Sequence, residues 1–180
     1  MQVPVIETER LRLRGWQQSD ATSLAALNAD ADFVRYIGAG KPLSPEESWR
    51  VMAMLAGHWV LRGFGLWAVE LKANGAFIGR VGLLEPEGWP QTEIGWGIDP
   101  AYWGKGYASE AASAAMAWAF NELGVKALIS IIHPDNHASK RLAERLGEVF
   151  SHQQTVLGTC CDIYQIDRET YLKTRSVVSH

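Results

Sequence analysis

Cysteine is nearly absent from this sequence: its 180 residues include two, Cys160 and Cys161, and they are adjacent. Neighbouring cysteines are poorly placed for a structural disulfide, and there is neither a CxxC pair nor the further ligands of a zinc site. They read as two reduced thiols on alternate faces of a strand, as expected of a cytoplasmic chain. Charge of one sign is equally scarce. With 17 Lys and Arg against 20 Asp and Glu, the net charge is −3, so the clustered cations that drive phosphate-backbone binding are missing and nucleic acid is not an expected partner. Long apolar runs are lacking too. The longest, Ala111 to Phe120, falls far short of the roughly 20 residues needed to cross a bilayer. The opening stretch is interrupted by Glu7, Glu9, Arg10 and Arg12, unlike a secretory leader, so no membrane association is expected. His133 and His137 are four apart, but Pro134 lies between them at a strand-to-helix junction. They cannot share a helical face, and no metal is expected.

What is present is an ordinary globular composition, 47% hydrophobic and 21% charged, in a chain of one domain's length without repeats or a dividing linker. Residues 1–180 are therefore taken as a single domain. Leu11 and Leu13 alternate with Arg10, Arg12 and Arg14 in the period of a half-buried strand. Ser19-Asp20 and Ser44-Pro45-Glu46-Glu47 open two helices. Strand patterns at 66–71 and 77–84 flank Asn74-Gly75, a hairpin signal, and 92–99 continues the meander. An alanine-rich helix over 108–123, a strand over 126–132, a helix over 136–146 and a final strand over 162–167 complete the order. This β-α-α-β-β-β-α-β-α-β succession predicts an α/β (mixed α+β) fold, a mixed sheet with helices on both faces. Trp49, Trp59, Trp67 and Trp118 fall in helices or strands and are expected in the core, whereas Trp16, Trp89 and Trp103 fall in loops where a cleft would be lined.

The most informative segment runs from Ile98 through Asp99-Pro100-Ala101-Tyr102 to Trp103-Gly104-Lys105-Gly106-Tyr107-Ala108-Ser109-Glu110. A strand ends in a loop with two glycines and feeds directly into a helix. Without Cβ atoms at 104 and 106, backbone N–H groups can turn toward phosphate oxygens, and the helix N-terminus adds partial positive charge. Lys105 offers a point charge. The alternative is a tight turn with no ligand. The segment is neither a Walker loop nor a dinucleotide fingerprint, which has a third glycine where Ser109 stands. On the preceding strand Glu93, Gly95 and Gly97 share one face while Ile94, Trp96 and Ile98 share the other. The glycine face leaves room for something other than a side chain, or is simply a bare packing face.

Trp103-Gly104-Lys105-Gly106-Tyr107-Ala108 resembles the acyl-CoA pyrophosphate loop, Q/R-x-x-G-x-G/A, of the GNAT N-acetyltransferases, and most closely the Rim-type branch that acetylates ribosomal-protein N-termini. Glu7 to Arg14, Phe77-Ile78-Gly79, Glu93 to Ile98, Asn136-x-x-Ser139 and Asp162-Ile163-Tyr164 occur in the order of that branch. The resemblance spans residue 7 to about residue 171 and implies the GNAT acyl-CoA N-acyltransferase fold: a mostly antiparallel sheet with a splayed parallel pair, here 93–98 and 126–132, holding acetyl-CoA as co-substrate. It implies pantetheine contacts at Trp96, Gly97, Ile98 and Asn136, and phosphate contacts at Trp103, Gly104, Lys105, Gly106, Tyr107, Ala108 and Ser109. Trp103 departs from the general Q/R and loses one polar contact.

Direct acetyl transfer to an amine needs a base, an oxyanion donor and an acid for the thiolate. Glu93 is the candidate base, against an ordinary strand-end glutamate; the donor is the backbone N–H of Trp96 or Gly97. The tyrosine many members use as acid is replaced by Ala143. Ser139 takes that role by resemblance to the Rim-type branch, against a first-turn serine beside the Asn136 cap. Gly147-Glu148 replaces the usual Gly-Phe and leaves the packing after that helix open. The acceptor is a small-molecule or peptide amine, with a ribosomal-protein N-terminus suggested by the branch. Its specificity is expected from helices between 20 and 60, the loop 85–91 and a wall at Gly63-Phe64-Gly65. A non-catalytic acyl-CoA sensor or interaction module is the alternative. A sheet end near 150–167 offers a surface for a homodimer.

Overall fold

The computed structural model describes residues 2–177, with side chains as far as 174; residues 1 and 178–180 of the expected domain lie outside it. One sheet takes the order β1 (Ile6–Glu7), β2 (Leu11–Arg14), β3 (Leu66–Leu71), β4 (Phe77–Leu84), β5 (Glu93–Ile98), β6 (Ala127–Ile132), β8 (Thr159–Asp167), β7 (Val149–Val156). Among the described residues only the β5–β6 pair is parallel, and the other pairings are antiparallel. Helices α1 (Ala21–Asn28) and α2 (Ala31–Val34) belong to one side and α4 (Tyr107–Trp118), α5 (His137–Leu146) and α6 (Arg168–Val177) to the other, while α3 (Pro45–Arg62) lies against α1 and reaches the α4 cluster through Trp59. The mixed sheet with helices on both faces is the expected fold class.

Local chemistry explains the elements that the sequence announces. In the β3–β4 hairpin the Asn74 side chain accepts from the Ala76 N–H at 3.1 Å, and Gly75 takes a φ of +73° that a β-carbon would resist. Helix α3 opens with a reciprocal capping box between Ser44 and Glu47, carries Pro45 in its first turn and stops at left-handed Gly63. The alternate residues Trp67, Val69, Val81, Leu83, Ile94 and Ile98 face the smooth alanine surface of α4 at Ala111, Ala112 and Ala115. Trp59, in the last turns of α3, meets Trp67 edge-on at 4.8 Å, and Trp67 meets Trp118 at 5.2 Å. Trp59 is 1% exposed and its indole donates to the Leu66 carbonyl at 3.1 Å. Trp59→Ala is therefore expected to cost about 3–5 kcal/mol, read as a lowered denaturant midpoint.

Four expectations need correction. Trp49 is 49% exposed, because the inward stripe of α3 is Ser48, Met52, Leu55 and Trp59 and Trp49 sits one step round the helix. Strand β7 was not anticipated, since almost all its residues are exposed and no face carries an alternating apolar signal. It pairs with β8 through a two-residue turn at Leu157-Gly158, both with positive φ, so the final strand begins at Thr159 rather than 162. The α6 helix was also unforeseen; Asp167 caps it by accepting the Thr170 N–H at 2.7 Å, and Tyr171 stacks on Phe120 at 4.6 Å. The short α2, capped by Asp30 at the N–H groups of Asp32 and Phe33, places Phe33 over the sheet, with a consequence for the site.

Candidate active site

The central strands touch at one point. Glu93 pairs with Ile129, whose N–H donates to the Thr92 carbonyl at 3.1 Å, and beyond that pair the strands have no further register. On the other edge of β5, the Asp99 N–H donates to the Ile78 carbonyl at 2.8 Å, which fixes the phase of the antiparallel ladder. Residues 93, 95 and 97 therefore bond toward β4, and the N–H and C=O groups of Trp96 and the N–H of Ile98 are directed into the opening. The Ile98 carbonyl accepts from the Trp103 indole at 2.6 Å. Of the two expected oxyanion donors, the Trp96 amide faces the gap and the Gly97 amide faces Arg80 of β4. Gly79 permits this arrangement, because a β-carbon there would lie 2.2 Å from the Gly97 oxygen.

The glycine face is only partly open. A β-carbon at Gly97 would meet the Phe33 ring at 3.0 Å, whereas at Gly95 the nearest atom is Glu93 Oε1 at 3.8 Å. Free space thus lies at Gly95, beside Glu93, and the helical lid closes it at Gly97. Beneath Phe33 sits Arg80, 8% exposed, with its guanidinium 5.5 Å from the ring centre and its ionisation lowered to about 10 by burial. The proposed wall at Gly63-Phe64-Gly65 is partly a core feature: Gly65 lies against the Trp59 indole, and Phe64 meets His58 edge-on at 5.2 Å.

Glu93 is half-buried at the closed end of the gap. Its Oε2 accepts from the Trp89 indole at 2.8 Å. Burial pushes its carboxyl up to about 7, while the Trp89 indole and the Ile131 backbone hold it down. A carboxyl poised there carries a proton half the time near neutrality, as a general base requires. On the opposite face the Trp96 indole donates to Ser139 Oγ at 3.1 Å, and Asn136 caps α5 by accepting the Ser139 N–H at 3.2 Å. The indole occupies an acceptor site of the hydroxyl and leaves its proton free to donate. Trp96 packs with Ile132, Ala143 and Tyr164, so the small Ala143 admits the indole where a tyrosine would crowd it.

The loop at the other end of β5 is held from behind. Gly104 and Gly106 have φ of +74° and +81°, with no atom within 4 Å of a β-carbon at Gly104. Arg10 donates to the Lys105 carbonyl at 2.9 Å and to Glu110 at 2.7 Å, stands 4.5 Å over the Tyr107 ring, and is joined at Glu110 by Thr8 at 2.6 Å. The N–H groups of Tyr107, Ala108 and Ser109, at the start of α4, face outward from this brace. Lys105 folds back, its ammonium 3.4 Å from the Ala101 carbonyl and 5.2 Å from the Tyr102 ring. These backbone donors and the open edge of β5 suit a phosphate-bearing thioester with an extended amide arm. Among the described residues no cluster of three metal-ligating side chains occurs, and no helix is long and apolar enough to cross a membrane. Phe33, Arg80 and the Arg10–Glu110 brace carry no local sequence signal, because each acts through contacts between distant segments.

A sheet that opens between its one parallel pair, with a glycine loop and helix at the mouth, defines an acyl-CoA N-acyltransferase fold. Residues 10–149 match the family model described as an acetyltransferase (GNAT) domain, and the chain belongs to that family. It is an N-acetyltransferase, and the family draws its acetyl group from acetyl-CoA. The Bacillus subtilis protein YkkB is 34% identical over 152 residues, covering 80% of this chain and 84% of its own. A solved acetyltransferase from Agrobacterium tumefaciens aligns with a TM-score of 0.82 at 29% identity, covering 92% of this chain and 95% of that one. The ribosomal-protein acetyltransferase RimL, solved with coenzyme A, shares the fold at a TM-score of 0.75 and 18% identity, over 91% of this chain and 98% of its own.

Proposed function

We propose that the protein transfers an acetyl group from acetyl-CoA directly to a primary amine, a protein N-terminus or a small-molecule amine, in a ternary complex and without metal. The observation that carries this reading is the Glu93 carboxyl, held by the Trp89 indole beside the free space at Gly95 where β5 parts from β6. When bound, acetyl-CoA supplies the activated acetyl thioester. Trp96, Ile98 and Asn136 hold the amide arm, and the loop from Trp103 to Ser109 holds the phosphates through backbone N–H groups. Glu93 takes the proton of the incoming ammonium, the Trp96 N–H stabilises the developing oxyanion, and the Ser139 hydroxyl donates to the departing sulfur. Ser139→Ala is expected to lower turnover by about 10- to 100-fold with acetyl-CoA affinity nearly unchanged. The test of the reading is incubation with acetyl-CoA and a panel of N-terminal peptides, polyamines and amino acids, followed by mass spectrometry and thiol release. Acetylation of one amine class supports it. Binding of acetyl-CoA with no amine acetylated would favour a non-catalytic acyl-CoA module.

A further inference from the structure

Glu148 follows the glycine that ends α5 and is 2% exposed, with its N–H donating to the Ala143 carbonyl at 3.0 Å. Its Oε1 is buried without a hydrogen-bond partner, and no ion pair reaches it among the described residues. Its Oε2 lies 2.9 Å from Ser130 Oγ, which also lies 2.9 Å from the Ile94 carbonyl oxygen. A hydroxyl has one proton, and a carbonyl can only accept. If Glu148 were ionised, Ser130 would face two acceptors and one contact would be unmade. Both contacts are satisfied when Glu148 carries the proton: it donates to Ser130 Oγ, and Ser130 donates to Ile94.

The position of this chain of bonds gives it a use. A parallel ladder continued past the Glu93–Ile129 pair would send the Ile131 N–H to the Ile94 carbonyl. Here that ladder pair is missing, and the Ser130 side chain takes the Ile94 carbonyl at 2.9 Å. A side-chain bond thus stands in for a ladder bond where the strands part.

We propose that Glu148 is a positioning residue whose neutral carboxyl, through Ser130, locks the Ile94 carbonyl and fixes the width of the opening that receives the acyl-CoA arm. The identity of that occupant rests on the reading above. Ionisation of Glu148 turns the Ser130 proton away from Ile94 and loosens the strand pair. Burial pushes the Glu148 carboxyl up to about 8, opposed by Ser130 and reinforced by Glu93 on β5. On β8, Tyr164, the register partner of Ser130, and Asp162 share the Ser130 face; Tyr164 is raised by burial and Asp162 lowered by its pairing with Lys140 of α5, while Cys161, on the opposite face, is also raised by burial. Cys161 and Tyr164 ionise above the Glu148 transition, and Asp162 below it.

The test is calorimetric titration of acetyl-CoA into the wild type, Glu148→Gln and Glu148→Leu from about pH 6.5 to about pH 9.5. Wild-type affinity is expected to fall roughly tenfold per pH unit above about 8. Glu148→Gln, whose amide donates to Ser130 at every pH, matches it below that point and stays flat above, while Glu148→Leu binds weakly throughout. Coincident wild-type and Gln profiles, or a Gln variant as weak as Leu at neutral pH, overturn the proposal; if the Leu variant does not fold, the first comparison decides. Carbon-13 titration of the glutamate carboxyls in the ligand-free protein is a second readout. The resonance missing in Glu148→Gln should titrate near 8, and titration in the ordinary carboxylate range overturns the proposal whatever becomes of the acetyl-CoA reading.

Discussion

Glu93→Gln is expected to cut turnover at neutral pH by about 100-fold or more while acetyl-CoA affinity changes less than about twofold. The amide keeps the shape, and its oxygen still accepts from the Trp89 indole, so the gap is unchanged; what is lost is the capacity to take the ammonium proton. Because burial raises the carboxyl to about 7, wild-type turnover should climb with pH to about 7, and Glu93→Gln should lack that limb. The same shift has a stability consequence of opposite sign. A carboxyl that holds its proton longer in the folded state contributes stability present below its unfolded value, about 4.3, and lost as pH rises through about 7. Glu93 should therefore contribute a decline in wild-type stability across that window on the order of 3–4 kcal/mol, and Glu93→Gln should be more stable than wild type at pH 8. Urea denaturation across pH checks this. Full turnover in Glu93→Gln, or a limb in the ordinary carboxylate range, would assign the base elsewhere.

The features the sequence announced are those made by near neighbours in the chain. Asn74-Gly75 sets its hairpin within four residues, Ser44 and Glu47 cap a helix across one turn, and the Gly104–Gly106 loop is a strand-to-helix turn whose glycines both take positive φ. Strand β7 was hidden because the alternation rule detects a buried face, and an edge strand without one has no periodic signal. Trp49 shows the limit of residue type as a guide: indole area favours burial, but helix phase put it outside. At the site, Glu93 was expected from its place at the start of a glycine-faced strand, and Ser139 from the resemblance to the Rim-type branch. The closure of Gly97 by Phe33, the Trp96–Ser139 bond across 43 residues and the Glu148–Ser130–Ile94 chain were not. Each joins segments that only the sheet order brings together, and neither propensity nor period reports sheet order.

Gly106→Trp should abolish measurable acetyl-CoA binding, a loss of about 100-fold or more, while the protein stays folded. Gly106 has a φ of +81°, so any side chain there costs on the order of 1–2 kcal/mol of strain. Direction matters more than strain. A β-carbon would point at the Arg10 guanidinium 3.4 Å away, and Arg10 is fixed by Lys105, Glu110 and the Tyr107 ring. With that side filled, an indole must lie on the open side of the loop, across the N–H groups that begin α4. Gly104→Ala separates occlusion from strain: its φ is +74°, but nothing lies within 4 Å of the new methyl. It should bear a similar backbone penalty yet lower affinity by no more than about fivefold. Equal losses in the two variants would point to a loop that needs its glycines only to fold. Unchanged affinity in both would move the phosphate contacts away from this loop.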